Sequence, residues 1–79
     1  MEKKVKAIVK RVKLEQYSAE WWADVVYTRN DKEGEHHVAV QTNTEYFSSA
    51  LIGLPKLIED EIKEQGVDEV LIMSTYRMN

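Results

Sequence analysis

The 79-residue chain contains no cysteine, a single proline, three glycines and one phenylalanine. Without cysteine there are no disulfides, no thiolate metal sites and no thiol nucleophile. The three glycines, Gly34, Gly53 and Gly66, are scattered and serve as turn, kink and cap, so no glycine-rich phosphate cradle or dinucleotide fingerprint exists. Ser48 and Ser49 fall in a helical pattern rather than on a strand-to-helix elbow. No apolar run approaches the ~20 residues a membrane-spanning helix needs, and the lysine-rich start lacks the apolar stretch of a secretory signal. These features lead to the expectation of a soluble, cytoplasmic protein that is not an enzyme, needs no cofactor or metal, and does not contact a membrane.

What is present is enough to fold. Hydrophobic residues make up 43% of the chain and include two tryptophans, well above the composition of a disordered tract. The sequence is therefore read as one α+β domain spanning residues 1–79. A chain of this length buries only about 60–65% of its unfolded surface, which leaves a thin core that gains stability if a partner or a second copy covers more apolar area. Charge is unevenly spread. Residues 1–13 carry six basic side chains against Glu2 alone, whereas the remainder holds 5 basic and 13 acidic ones, giving a formal net charge of −3 overall.

Periodicity gives the elements. Val5, Ala7 and Val9 alternate with Lys4, Lys6, Ile8 and Lys10 in a first strand over Lys4–Leu14. The phase slips so that Val12 and Leu14 continue the pattern on the other parity, which predicts a β-bulge near Arg11. A hairpin follows, with Asp31-Lys32-Glu33-Gly34 as a four-residue loop. That loop pairs Tyr27 with Val38, Val25 with Val40 and Ala23 with Thr42 on one face. On the other it pairs Trp22 with Asn43, Asp24 with Gln41, Val26 with Ala39 and Thr28 with His37. Beyond Thr42 the stripe Phe47, Leu51, Leu54, Ile58 and Ile62 is helical, with Asn43 or Thr44 as cap and Gly66 as stop. Gly53 and Pro55 predict a kink or break. Asp68–Met78 reads as the last strand, and its run Val70–Met73 suits an internal position.

The resulting fold class is a four-stranded mixed sheet with element order β-β-β-α-β and spatial order 3-2-1-4, carrying one kinked or broken helix on one face. The covered side takes Val5, Ala7, Val9, Ala23, Val25, Tyr27, Val38, Val40, Val70 and Ile72. The open side presents Lys6, Ile8, Lys10, Trp22, Val26, His37, Leu71 and Met73 among others, too much apolar area for a purely solvated surface.

This element order resembles, over most of the chain, the partial RNase H-like fold of HicB-type antitoxins, which bind a toxin and often oligomerise. The resemblance is topological. The Pro-Asp-x-Pro-Gly-Cys-like stretch of that family is replaced after the third strand by Gln41-Thr42-Asn43-Thr44-Glu45. Small phage- and plasmid-encoded inhibitors share this size and lack of cysteine.

The functional expectation is a protein-binding module, such as an inhibitor or a phage or bacterial accessory factor, that occludes a partner or forms a homodimer. Its surface would have Trp22 as aromatic anchor, Val26, Leu71 and Met73 as apolar floor, and Lys6 and Lys10 as charged rim, with Ile8, Trp21 and His37 also among the partner-binding residues. The alternative is a nucleic-acid binder that uses Lys4, Lys6 and Lys10 beside aromatic side chains. His36 and His37, adjacent on a strand, point to opposite faces and do not chelate one ion. Asp24 beside His37 is a candidate acid–base pair, without an accompanying nucleophile.

Overall fold

The computed structural model describes residues 3–73 and 76–78. Its elements are β1 (Lys6–Tyr17), β2 (Glu20–Arg29), β3 (Lys32–Gln41), α1 (Phe47–Lys63), β4 (Glu69–Ile72) and β5 (Tyr76–Met78). The sheet order is β3-β2-β1-β4, and β5 pairs with β1 beyond β4. β1, β2 and β3 form an antiparallel meander, and β4 and β5 both run parallel to β1. The α+β class and the strand order are those expected from the sequence.

The bulge is where the apolar parity slips. Val9 pairs with Tyr27 and Arg11 with Val26, leaving Lys10 without an opposite residue on β2. The extra residue re-phases β1, so that Ala7 and Val9 before it and Val12 and Leu14 after it all reach the helix side, each at most 1% exposed. The last strand also changes register beside this bulge, from Val9 opposite Ile72 to Val12 opposite Tyr76. The expected single strand over Asp68–Met78 is thus two short ones, with residues 74 and 75 outside the described residues. Val70–Ile72 lies at the sheet edge rather than inside it, and Leu71 is 55% and Met73 71% exposed.

The β2–β3 hairpin is real, but its register differs by two residues from the sequence reading. Ala23 pairs with Val40, Val25 with Val38 and Tyr27 with His36, and the ladder shifts before Arg29 meets Lys32. The extra residues sit on β3 around Gly34, whose φ of +89° is the left-handed conformation glycine adopts without penalty. A slip of two preserves which side chains share a face, so the face assignment holds while the partners change.

The β1–β2 turn is Ser18-Ala19, with φ of 50° and 70°. Two central residues at positive φ are the signature of a type I′ hairpin, which glycine and asparagine favour. An alanine held there costs about 1–2 kcal/mol. Ala19→Gly is therefore expected to raise the thermal midpoint by a few degrees, about 0.5–1 kcal/mol after allowing for unfolded-state entropy. A calorimetric scan of wild type and variant checks this.

One 17-residue helix crosses the sheet. It is about 26 Å long at 1.5 Å per residue, close to the roughly 30 Å of strand from Trp21 to Arg29 at about 3.3 Å per residue. Of the kink or break expected at Pro55, the break does not occur: Pro55 lies inside one continuous helix. Ala50 and Leu54 on one side of it and Ile58 and Ile62 on the other are all at most 1% exposed. The shared burial of that stripe on one sheet outweighs the lost N–H bond. Neither Asn43 nor Thr44 caps the helix, whose N-cap is Tyr46 without a side-chain bond. Thr44 instead accepts the Tyr46 amide on its hydroxyl at 3.1 Å. Gly66, at φ +87°, follows the helix end as expected.

Arg29 joins the two ends of this arrangement. Its side chain is 7% exposed. Nε and Nη2 donate to the Asp31 carboxylate at 2.6 and 3.0 Å, and Nη1 donates to the Gln65 carbonyl past the helix end at 3.0 Å. The hydrogen bond from Arg29 holds the Asp31 carboxyl below its ordinary value of 3.8, and the same bond raises the Arg29 guanidinium. A carboxyl depressed in the folded state adds stability above its unfolded pKa, which is lost as pH falls through the lower folded value. Asp31→Asn is thus expected to lower the urea midpoint at pH 6 and to leave it closer to wild type at pH 2. An equal deficit at both values would contradict that linkage.

Candidate functional site

With one helix on one side, the other side of the sheet is open. Its rows follow from register. Leu71 lies beside Ile8 and then Thr28; Arg11 beside Val26 and then His37; Lys13 beside Asp24 and then Ala39; Glu15 beside Trp22 and then Gln41. Lys6, opposite Glu69, closes one end, and Tyr17 opposite Glu20 closes the other at the Ser18-Ala19 turn. Ile8, Trp22, Val26, His37 and Leu71 are thereby gathered on one surface, with Met73 just past the end of β4.

These residues are not equally available. Leu71 and Met73 are more than half exposed, and Tyr17, also on this side, is 58% exposed. Ile8 and Trp22 are half-buried. Val26 is 5% exposed yet lies outside the main core cluster: its neighbours on the open face cover it, so it is floor and not contact surface.

Trp21 belongs to the opposite side. It packs against the core, its ring meeting Phe47 edge-on at 5.1 Å between centroids. Its indole N–H donates to the Glu45 carbonyl at 3.0 Å. Its amide donates to the Thr44 carbonyl, and its own carbonyl accepts from both the amide and the hydroxyl of Thr42. The two adjacent tryptophans therefore divide: Trp21 fixes the segment that leads into α1, and Trp22 faces outward. Alternation along a strand dictates this split.

The basic strand is substantially neutralised. Lys4 and Lys6 both approach Glu69, at 3.3 and 3.9 Å, Arg11 approaches Glu35 at 3.6 Å and Lys13 approaches Glu15 at 3.1 Å. Lys10, at the bulge, is exposed. His37 is paired with Val26 and Asp24 with Ala39, and among the described residues no hydrogen bond joins that histidine to that carboxylate. His36 turns to the other face and stacks at a tilt on Tyr27, ring centroids 5.5 Å apart. Among the described residues no group of three or more histidine, aspartate or glutamate side chains gathers as a metal site, and no helix is long and apolar enough to cross a membrane.

A groove of about 630 Å³ opens on the far end of the open face, with Trp22 in its lining. Lys13, Glu15, Tyr17, Glu20, Asp24 and Gln41 stand around it. Comparison of the chain with protein-family models, curated proteins and solved structures finds no match. The likeness to HicB-type antitoxins rests on element order alone. Glu15 and Glu20 carry no signal as site residues in the sequence, because the Ser18-Ala19 turn lacks glycine and asparagine and the apolar alternation of the first strand ends at Leu14.

Proposed function

We propose that this chain is a non-enzymatic protein-interaction module that works in the cytoplasm and occludes a protein partner with the sheet face its helix leaves open. One observation carries the reading: Leu71, Met73 and Tyr17 are each more than half exposed on or beside a face that also holds Ile8 and Trp22. Apolar side chains grouped on one face are a recurrent feature of interaction sites. Half-buried Trp22 is the aromatic anchor, Ile8 and Leu71 supply apolar contact, and the paired charges of Lys6 and Glu69 form a rim.

The ion pairs along β1 support a protein over a nucleic acid as the partner, because Glu69, Glu35 and Glu15 offset the cations a phosphate backbone would need. Trp22→Ala is expected to weaken association by about 2 kcal/mol or more, roughly 30-fold in Kd. Immobilised wild type, Trp22→Ala and Ile52→Asp proteins are compared for what they retain from a lysate. Ile52 is 83% exposed on the helix and serves as the control. Retention lost with Trp22→Ala and kept with Ile52→Asp supports the open face. Retention unaffected by Trp22→Ala removes that face from the reading, and light scattering of the isolated protein separates a second copy from a foreign partner.

A further inference from the structure

We infer that the groove lined by Trp22 is a subsite for a cationic side chain, an arginine or lysine carried on an exposed segment of the partner protein. This rests on the reading of the open face as a protein-binding surface and names the chemistry of one end of it.

The argument starts from alternation and register. Glu15, Trp22 and Gln41 form one cross-strand row, with Lys13 and Asp24 in the row beside it and Tyr17 and Glu20 beyond it. The type I′ turn at Ser18-Ala19 brings Glu20 back alongside Tyr17 at the end of the sheet. Trp22 thus shares the groove lining with three carboxylates and one ammonium. The ammonium is already committed: Lys13 lies 3.1 Å from Glu15, whose carboxylate also accepts the Tyr17 hydroxyl at 2.5 Å. Glu20 takes the Gln41 side-chain amide, a neutral donor that leaves its charge uncompensated. Asp24 is exposed, and among the described residues no donor is bonded to it. The groove therefore has an excess of negative charge beside an aromatic side chain.

A cation over an indole is attracted by the ring quadrupole. Guanidinium suits this place in particular, since it stacks on aromatic faces while its edge N–H groups reach carboxylates in a fork. Phosphate or a carboxylate-rich segment is repelled by the same groups. The opposite end of the face differs in character, with Ile8 and Leu71 beside the Lys6–Glu69 pair. A partner laid along the sheet would meet an apolar patch first and a cation-selective groove second, which fixes its direction.

The test uses the intact protein and three probes: a tetra-arginine peptide, a tetra-glutamate peptide and a short single-stranded oligonucleotide. Each is titrated into labelled protein and followed by the Trp22 indole N–H and the backbone amides of Glu20 and Asp24 in two-dimensional NMR. The arginine peptide is expected to shift these signals, with Kd rising at least tenfold in the Glu20→Gln, Asp24→Asn double variant. Glu59→Gln with Asp60→Asn on the helix should leave Kd unchanged. Shifts confined to the helix, an unchanged Kd in the groove variant, or a response to the oligonucleotide in place of the peptide would overturn the proposal. So would a change in molar mass caused by the groove substitutions, which would make the occupant a second copy. Lysate retention that depends on Trp22 yet is indifferent to Glu20 and Asp24 would remove the cationic subsite and leave the wider binding face standing. Retention indifferent to all three would remove both.

Discussion

Ile58→Ala is expected to lower the unfolding free energy by about 3–4 kcal/mol. Ile58 is fully buried in the middle of α1, within the cluster that includes Leu54, Ile62, Val9 and Val25. Alanine is the better helix former, so the loss is one of packing and not of helix propensity. The effect is large because α1 is the sole helix over the sheet among the described residues, and no second layer is available to collapse into the vacated space. At roughly 0.05–0.15 kcal/mol per residue a domain of this size has only about 4–12 kcal/mol in total. The thermal midpoint should therefore fall by about 15 °C or more. Urea unfolding followed by circular dichroism checks this, with Ile58→Val expected to cost only about 1 kcal/mol. A loss below about 1.5 kcal/mol for the alanine variant would mean that the helix contributes less to the core than its burial implies.

Trp21→Ala is expected to cost about 3 kcal/mol. The substitution removes the edge contact with Phe47 at the helix start and the indole bond to the Glu45 carbonyl. That carbonyl lies in the segment between β3 and α1 where Asn43 also adopts a left-handed φ of 60°. Trp21 ties this irregular stretch to the sheet, so its loss should loosen where the helix begins as well as leave a cavity. Hydrogen exchange at residues 42–50 should accelerate more than at the Arg29 end of the sheet. Trp21→Phe, which keeps part of the ring contact but not the N–H, should lie between wild type and alanine. Equal protection along the sheet in Trp21→Ala would show that the segment is held by other contacts.

How much of this was legible in the sequence depends on which signal each feature writes there. The bulge left a visible mark because one extra residue flips parity, and Val9 followed by Val12 cannot share a face otherwise. The hairpin register left none, because a slip of two keeps Val25, Tyr27, Val38 and Val40 on the helix side whichever partners they have. The helix stripe was plain, whereas its continuity through Pro55 depended on tertiary burial of Leu54 and Ile58 on the same sheet. Val70–Met73 misled: a run apolar at every position looks internal, yet here it is an edge strand whose outward side chains stay exposed.

The candidate surface was half legible. Alternation placed Ile8, Trp22 and Leu71 on the open face and correctly put Val25 and Tyr27 opposite. It also separates Trp21 from Trp22, so Trp21, a partner-binding candidate from the sequence, packs on the core side instead. The acidic end of the groove was hidden because the Ser18-Ala19 turn uses residues that seldom accept positive φ. Without that turn Glu20 has no place beside Tyr17.

The division of labour between the two faces of the sheet is tested most directly by urea unfolding of Trp22→Ala beside Trp21→Ala. Trp22→Ala is expected to lose no more than about 1 kcal/mol, the scale of a residue away from the main core, while its partner retention is abolished. A Trp22→Ala variant destabilised as much as Trp21→Ala would place Trp22 in the core and contradict the assignment of the open face to binding.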